Sequence, residues 1–115
     1  MRVYVATSLD QVKQLLVAPI EIVDYLTPDQ FEFDASVDDE AREHLISLLA
    51  AEDSLEINQG KSGFVLAIDL ADEKLNLDLI EISLNSVAAL LYSVDGEELS
   101  WFAPEEIAHQ IDSWS

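Results

Sequence analysis

Residues 63 to 70 read Gly-Phe-Val-Leu-Ala-Ile-Asp-Leu, and from Phe64 to Ile68 the run is apolar on both parities. Successive side chains of a strand point to opposite faces, so a strand that is apolar at every position requires cover on both sides. The chain must therefore build a sheet with other elements above and below it, and this segment, closed by Asp69, belongs at its centre.

The flanking segments supply partners and cover. Val3 to Ala6 is an apolar run rich in β-branched and aromatic residues, which predicts a strand; Thr7 or Ser8 then caps a helix with apolar positions Leu9, Val12, Leu15 and Leu16. Pro19 ends that helix, and Ile20, Ile22, Val23, Tyr25 and Leu26 have the composition of a second strand, followed by a turn or short helical start at Thr27 and Pro28. From Asp29 to Glu43 the chain carries seven acids and one base, after which Leu45, Leu48, Leu49 and Leu55 recur at helical spacing. Ser36 or Asp38 is placed to cap this long helix, and an acid-rich first turn suits the positive end of its dipole. Asn58, Gly60 and Gly63 break it before the central strand.

On the C-terminal side, Leu75, Leu77 and Leu79 alternate with Asn76, Asp78 and Ile80, the pattern of a half-buried strand, with a helix as the alternative for so Leu-rich a stretch. Val87 to Val94 also satisfies two periods, and the Asp95-Gly96 turn behind it favours a strand. Leu99 to Phe102 predicts a short last strand. Pro104 takes the first position of a closing helix whose Ile107, Ile111 and Trp114 share one face. The fold class expected is α/β or mixed α+β, a single sheet of about four to five strands with helices packed on it and right-handed crossovers. With 115 residues and no linker or repeat, residues 1–115 are expected to form a single domain.

Charge narrows the partners. There are 24 Asp and Glu against 5 Lys and Arg, a formal net charge of -19, yet half the residues are hydrophobic, which supports folding rather than disorder. Nucleic acid is excluded as a direct partner because binding it needs clustered Lys and Arg. The absence of cysteine removes disulfides and thiol chemistry and fits a reducing compartment. No apolar run approaches the roughly 20 residues of a membrane helix, and Met1-Arg2 leads straight into an alternating segment without the core of a signal peptide. A cytoplasmic protein is the expectation.

MRVYVATSLDQVKQLL at the start and DGEELSWFAPEEI near the finish resemble a small uncharacterised protein family of actinobacteria, whose function is unknown. The resemblance extends thinly to Thr27-Pro28, the acidic lead into the long helix, Asp69 and the Val87 to Asp95 segment. This chain departs from that pattern in its short join between Asp95 and Leu99, where the family carries a longer Ala-rich insertion, and in Phe102, where Tyr is usual. A Trp-aromatic pair before Pro-Glu-Glu also occurs in Nudix hydrolases, but this chain has no Nudix box of Gly and paired Glu.

Other constellations lack the context their chemistry needs. Glu40 with His44 and Glu105 with His109 are four-residue helical pairs, and Glu106 with His109 has the E-x-x-H spacing, but a carboxylate-bridged metal centre needs two such pairs and further glutamates. Asp34, Asp38 and Asp39 lack the spacing of a calcium loop, and Gly60 and Gly63 stand outside any phosphate-binding pattern. No cofactor and no metal are expected. Trp101 and Phe102 are the notable pair: adjacent strand residues face opposite sides, so one enters the core while the other covers the start of the closing helix, as a hydrophobic staple, or lies in solvent as an anchor for a partner. With Glu105 and Glu106 they form the candidate partner-binding patch, an aromatic anchor in an acidic rim. The function expected is an acidic protein-interaction or inhibitory module recognising a basic partner. The alternative is a small α/β enzyme whose first residue to test is Asp69, at a strand's C-terminal end.

Overall fold

The computed structural model describes residues 1–60, 62–71, 73–74, 79–94 and 98–114. In chain order its elements are β1 (Arg2–Thr7), α1 (Leu9–Leu15), β2 (Ile20–Ile22), α2 (Asp39–Ile57), β3 (Gly63–Asp69), β4 (Ile80–Ile82), β5 (Val87–Ser93), β6 (Ser100–Phe102) and α3 (Pro104–Trp114), with short 3-10 turns at Pro28–Gln30 and Leu84–Ser86. Four strands form one sheet in the order β1-β3-β5-β6, and β2 and β4 pair separately as a ribbon. The architecture is mixed α+β, with the strands divided between a sheet and a ribbon. Among the described residues every strand pair is antiparallel, so the handedness rule for parallel crossovers has nothing to act on there.

The apolar run at 64–68 does occupy the interior of the sheet, between β1 and β5. Val3, Val5, Phe64, Leu66, Ile68 and Leu90 point to one face, where α1, α3 and the four isoleucines of the ribbon bury them. Tyr4, Val65, Ala67 and Ala89 point to the other, beneath α2. Burial there pushes the Tyr4 phenol above its ordinary value, with the Glu43 carboxylate adding to the effect.

Caps follow the sequence closely. Ser8 rather than Thr7 starts α1, its Oγ accepting from Gln11 N (3.1 Å) while Ser8 N donates to Gln11 Oε1 (2.8 Å). Asp38 rather than Ser36 starts α2, accepting from Ala41 N at 2.8 Å. The second strand is shorter than the expected 20–26: the chain leaves it after Ile22, and Leu26 instead forms an isolated bridge with Tyr4, each amide donating to the other's carbonyl (2.9 and 2.8 Å). The expected strand at 75–79 lies, apart from Leu79, outside the described residues, as does the Asp95-Gly96 turn.

The long helix differs most from its sequence pattern. Its buried side is Ile46, Ser47, Ala50, Ala51 and Ser54, whereas Leu45 and Leu49 are exposed and Leu48 and Leu55 only half-buried. The cause is proximity to the sheet. A Cβ added at Gly63 would lie 2.9 Å from the Ala51 carbonyl oxygen, so α2 sits where mainly small side chains fit beneath it. Ser54, fully buried, fastens this contact: its hydroxyl donates to Thr7 O (2.6 Å) and accepts from Phe64 N (2.7 Å), two backbone groups at the end of the β1–β3 ladder. Asn58 Nδ2 also donates to Thr7 O at 3.2 Å.

Candidate interaction surface

Alternation along β6 separates the aromatic pair. Phe102 stands opposite Leu90 and joins the face covered by α3, its ring 5.2 Å from Trp114, which stacks on Tyr92 at 5.3 Å and meets Phe64 at 5.6 Å. Phe102 also precedes Ala103, the residue that flanks the start of α3, and Ile107, the fourth residue of the helix, packs in the same core cluster, the arrangement of a hydrophobic staple. Trp101 stands opposite Leu91 on the α2 side of the sheet and is 61% exposed.

The aromatic pair of the predicted patch is thus divided between the two faces of the sheet. Glu105 and Glu106 are exposed at the start of a helix that packs on the face opposite Trp101. Glu106 has a structural task, since its Oε1 accepts from Ala103 N at 3.2 Å, half of a capping box. Of the four residues, Trp101 alone combines a large apolar side chain with solvent exposure.

Other predicted groups resolve into structural roles. Asp69 pairs with Arg2 through two hydrogen bonds (3.1 and 3.3 Å) on exposed surface and holds the ends of β1 and β3 together. Asp34 Oδ1 accepts from the amide and hydroxyl of Ser36 (both 3.0 Å), which lowers its carboxyl below the ordinary range. His44 and His109 are exposed, and no ion pair joins either to its helical glutamate among the described residues. Among those residues no group of three or more His, Asp or Glu is placed to hold a metal ion, and no helix is long and apolar enough to cross a membrane.

A surface that the helical spacing did not locate lies on the outside of α2. After the Tyr4–Leu26 bridge the chain runs beside this helix, and Phe33 packs against the lower core with Arg42 stacked over its ring at 5.6 Å. Between this segment and the helix is a groove of about 380 Å³ lined by Phe31, Phe33, Leu45, Leu48 and Leu49, with Glu32 and Glu52 among them. Leu45 and Leu49 are 44% and 40% exposed. Farther along α2, a cleft of about 390 Å³ brings Asp24, Asp53 and Glu56 beside Tyr25 and Ile57. The signal was present in the sequence as Leu45, Leu48, Leu49 and the alternative stripe of Ile46, Ala50 and Ala51; only the closeness of the sheet decided which turned inward.

Comparison with protein-family models, curated proteins and solved structures finds no match, so the resemblance noted at the two ends of the chain rests on those residues alone.

Proposed function

We propose that this chain is an acidic interaction module, inhibitory or scaffolding, that holds a basic protein through the α2 side of its sheet. The observation that carries the reading is the outward turn of Leu45 and Leu49, which leaves an apolar strip between carboxylates on a chain with a net charge of -19. Apolar contact supplies affinity where water is excluded, and the surrounding negative field steers a cationic partner and turns away acidic ones. Trp101, on the same side of the sheet, offers a second anchor. A reducing compartment such as the cytoplasm suits a chain without cysteine.

The test is affinity capture from a cell extract at low salt, with the parent chain, Leu49→Asp and Trp101→Ala as baits. The reading expects proteins of basic isoelectric point on the parent, released by moderate salt and depleted on at least one variant. Identical sets on all three baits, or captured proteins that are mostly acidic, would overturn it.

A further inference from the structure

The groove beside α2 suggests the form of the occupant as well as its charge. Leu45, Leu48, Leu49 and Glu52 lie at i, i+3, i+4 and i+7, so their strip runs roughly 10 Å along the helix at ~1.5 Å per residue. Phe31 and Phe33 wall it on one flank. A volume of about 380 Å³ is near the lower end of small-molecule sites, roughly 300–1,000 Å³, and few of its lining groups are polar. Such a trough takes a few apolar side chains from one face of a peptide segment. The carboxylates of Glu32 and Glu52 border the apolar floor, and Asp53 and Glu56 continue the negative charge towards the C-terminal end of α2.

Charge decides among occupants. A second copy would bring another chain of net charge -19 against this face, and an anionic lipid surface would be repelled in the same way. We infer that the groove between residues 31–33 and the outer face of α2 binds a single amphipathic, cationic segment of a partner protein, leucine-like side chains seated against Leu45 and Leu49 and Lys or Arg over Glu32 and Glu52. This rests on the reading of the chain as a module for basic partners and adds the site and the occupant's pattern. Basic residues supply the approach rate and salt sensitivity, while the apolar contacts set the dissociation rate.

Fluorescence anisotropy with three labelled peptides tests it: an amphipathic Leu/Lys peptide, a scramble of the same composition without an apolar face, and an amphipathic Leu/Glu peptide. The expected result is binding of the Leu/Lys peptide that weakens with salt, at least tenfold weaker binding of the scramble, and none of the Leu/Glu peptide. Leu49→Asp and Glu52→Lys should each lower affinity for the Leu/Lys peptide at least tenfold, with unchanged urea midpoints reporting intact folds. Equal binding of the scramble would overturn the inference, because attraction by net charge would then suffice. Loss on Trp101→Ala but not on Leu49→Asp would place the site elsewhere while leaving the basic-partner reading standing. Failure of both cationic peptides to bind would remove both, and self-association of the parent chain abolished by Leu49→Asp would replace the proposed occupant with a second copy.

Discussion

Replacing Ser54 with Ala removes one hydroxyl at the point where α2 meets the sheet. That hydroxyl accepts from Phe64 N at 2.7 Å and donates to Thr7 O at 2.6 Å, with Thr7, Ser54 and Phe64 all buried. The two losses are unequal. Thr7 O keeps Asn58 Nδ2 at 3.2 Å, whereas the Phe64 amide loses a close acceptor in a site shielded from water. An orphaned buried donor costs about 1–3 kcal/mol, and a hydrogen bond whose acceptor is otherwise served about 0.5–1.5 kcal/mol, so Ser54→Ala should cost about 1.5–4.5 kcal/mol. Ser47→Ala is the control. Ser47 is also buried, but its hydroxyl returns to the His44 carbonyl of its own helix at 2.7 Å, so its loss should change stability by less than about 0.5 kcal/mol. Equilibrium urea unfolding measures both; with slopes of about 1–3 kcal/mol/M, the Ser54→Ala midpoint should fall by about 1 M and that of Ser47→Ala hardly at all. Hydrogen exchange at the Phe64 amide should quicken in Ser54→Ala alone. Equal midpoints for the two variants would refute the claim that Ser54 fastens α2 to the sheet.

Ile111→Asp places a charge on the inner face of α3 and should cost several kcal/mol, enough to unfold much of the protein, whereas Glu105→Gln on the exposed side should be neutral; matching urea midpoints would mean that α3 is detachable. Gly63→Ala should destabilise by about 1–3 kcal/mol, and Ala51→Gly should not rescue it, because the added methyl meets the Ala51 backbone oxygen. In the β2–β4 ribbon Glu21 and Glu81 are directly opposed, so Glu81→Lys should raise stability by about 0.2–1 kcal/mol in a thermal melt, and a lowered midpoint would contradict the register. Raising sodium chloride from low to molar concentration shortens the screening length to ~3 Å and should raise the melting temperature of a chain with net charge -19; a steady fall would mean that repulsion is not what limits stability.

Much of the fold was legible locally. The doubly apolar run at 64–68 demanded cover on both faces, and the structure places it inside the sheet with helices on either side. Ser8, Asp38 and Pro104 begin helices because each satisfies or spares amide groups within its own turn, a requirement met by neighbours in sequence. Strand pairing was not legible in the same way. The division into a sheet and a ribbon, and the uniformly antiparallel ladders, depend on contacts between residues such as Val3 and Ile68, or Ile20 and Ile82, that periodicity does not reveal.

The candidate site divides along the same line. That Trp101 and Phe102 face opposite ways followed from the alternation of a strand, but which of them met the core depended on α3 packing on one side of β6 and on Phe64, Tyr92 and Trp114 already filling that face. Helical spacing marked one stripe of leucines on α2, the larger side chains that hydrophobicity favours burying, whereas the structure buries Ile46 with the smaller Ser47, Ala50, Ala51 and Ser54. The sequence by itself determined that an acidic chain would form strands and helices with apolar faces. Only the tertiary structure chose the buried stripe, because Gly63 lets α2 come so near the sheet that Ala50, Ala51 and Ser54 fit beneath it, and the bulkier Leu45 and Leu49 remain outside where a partner can reach them.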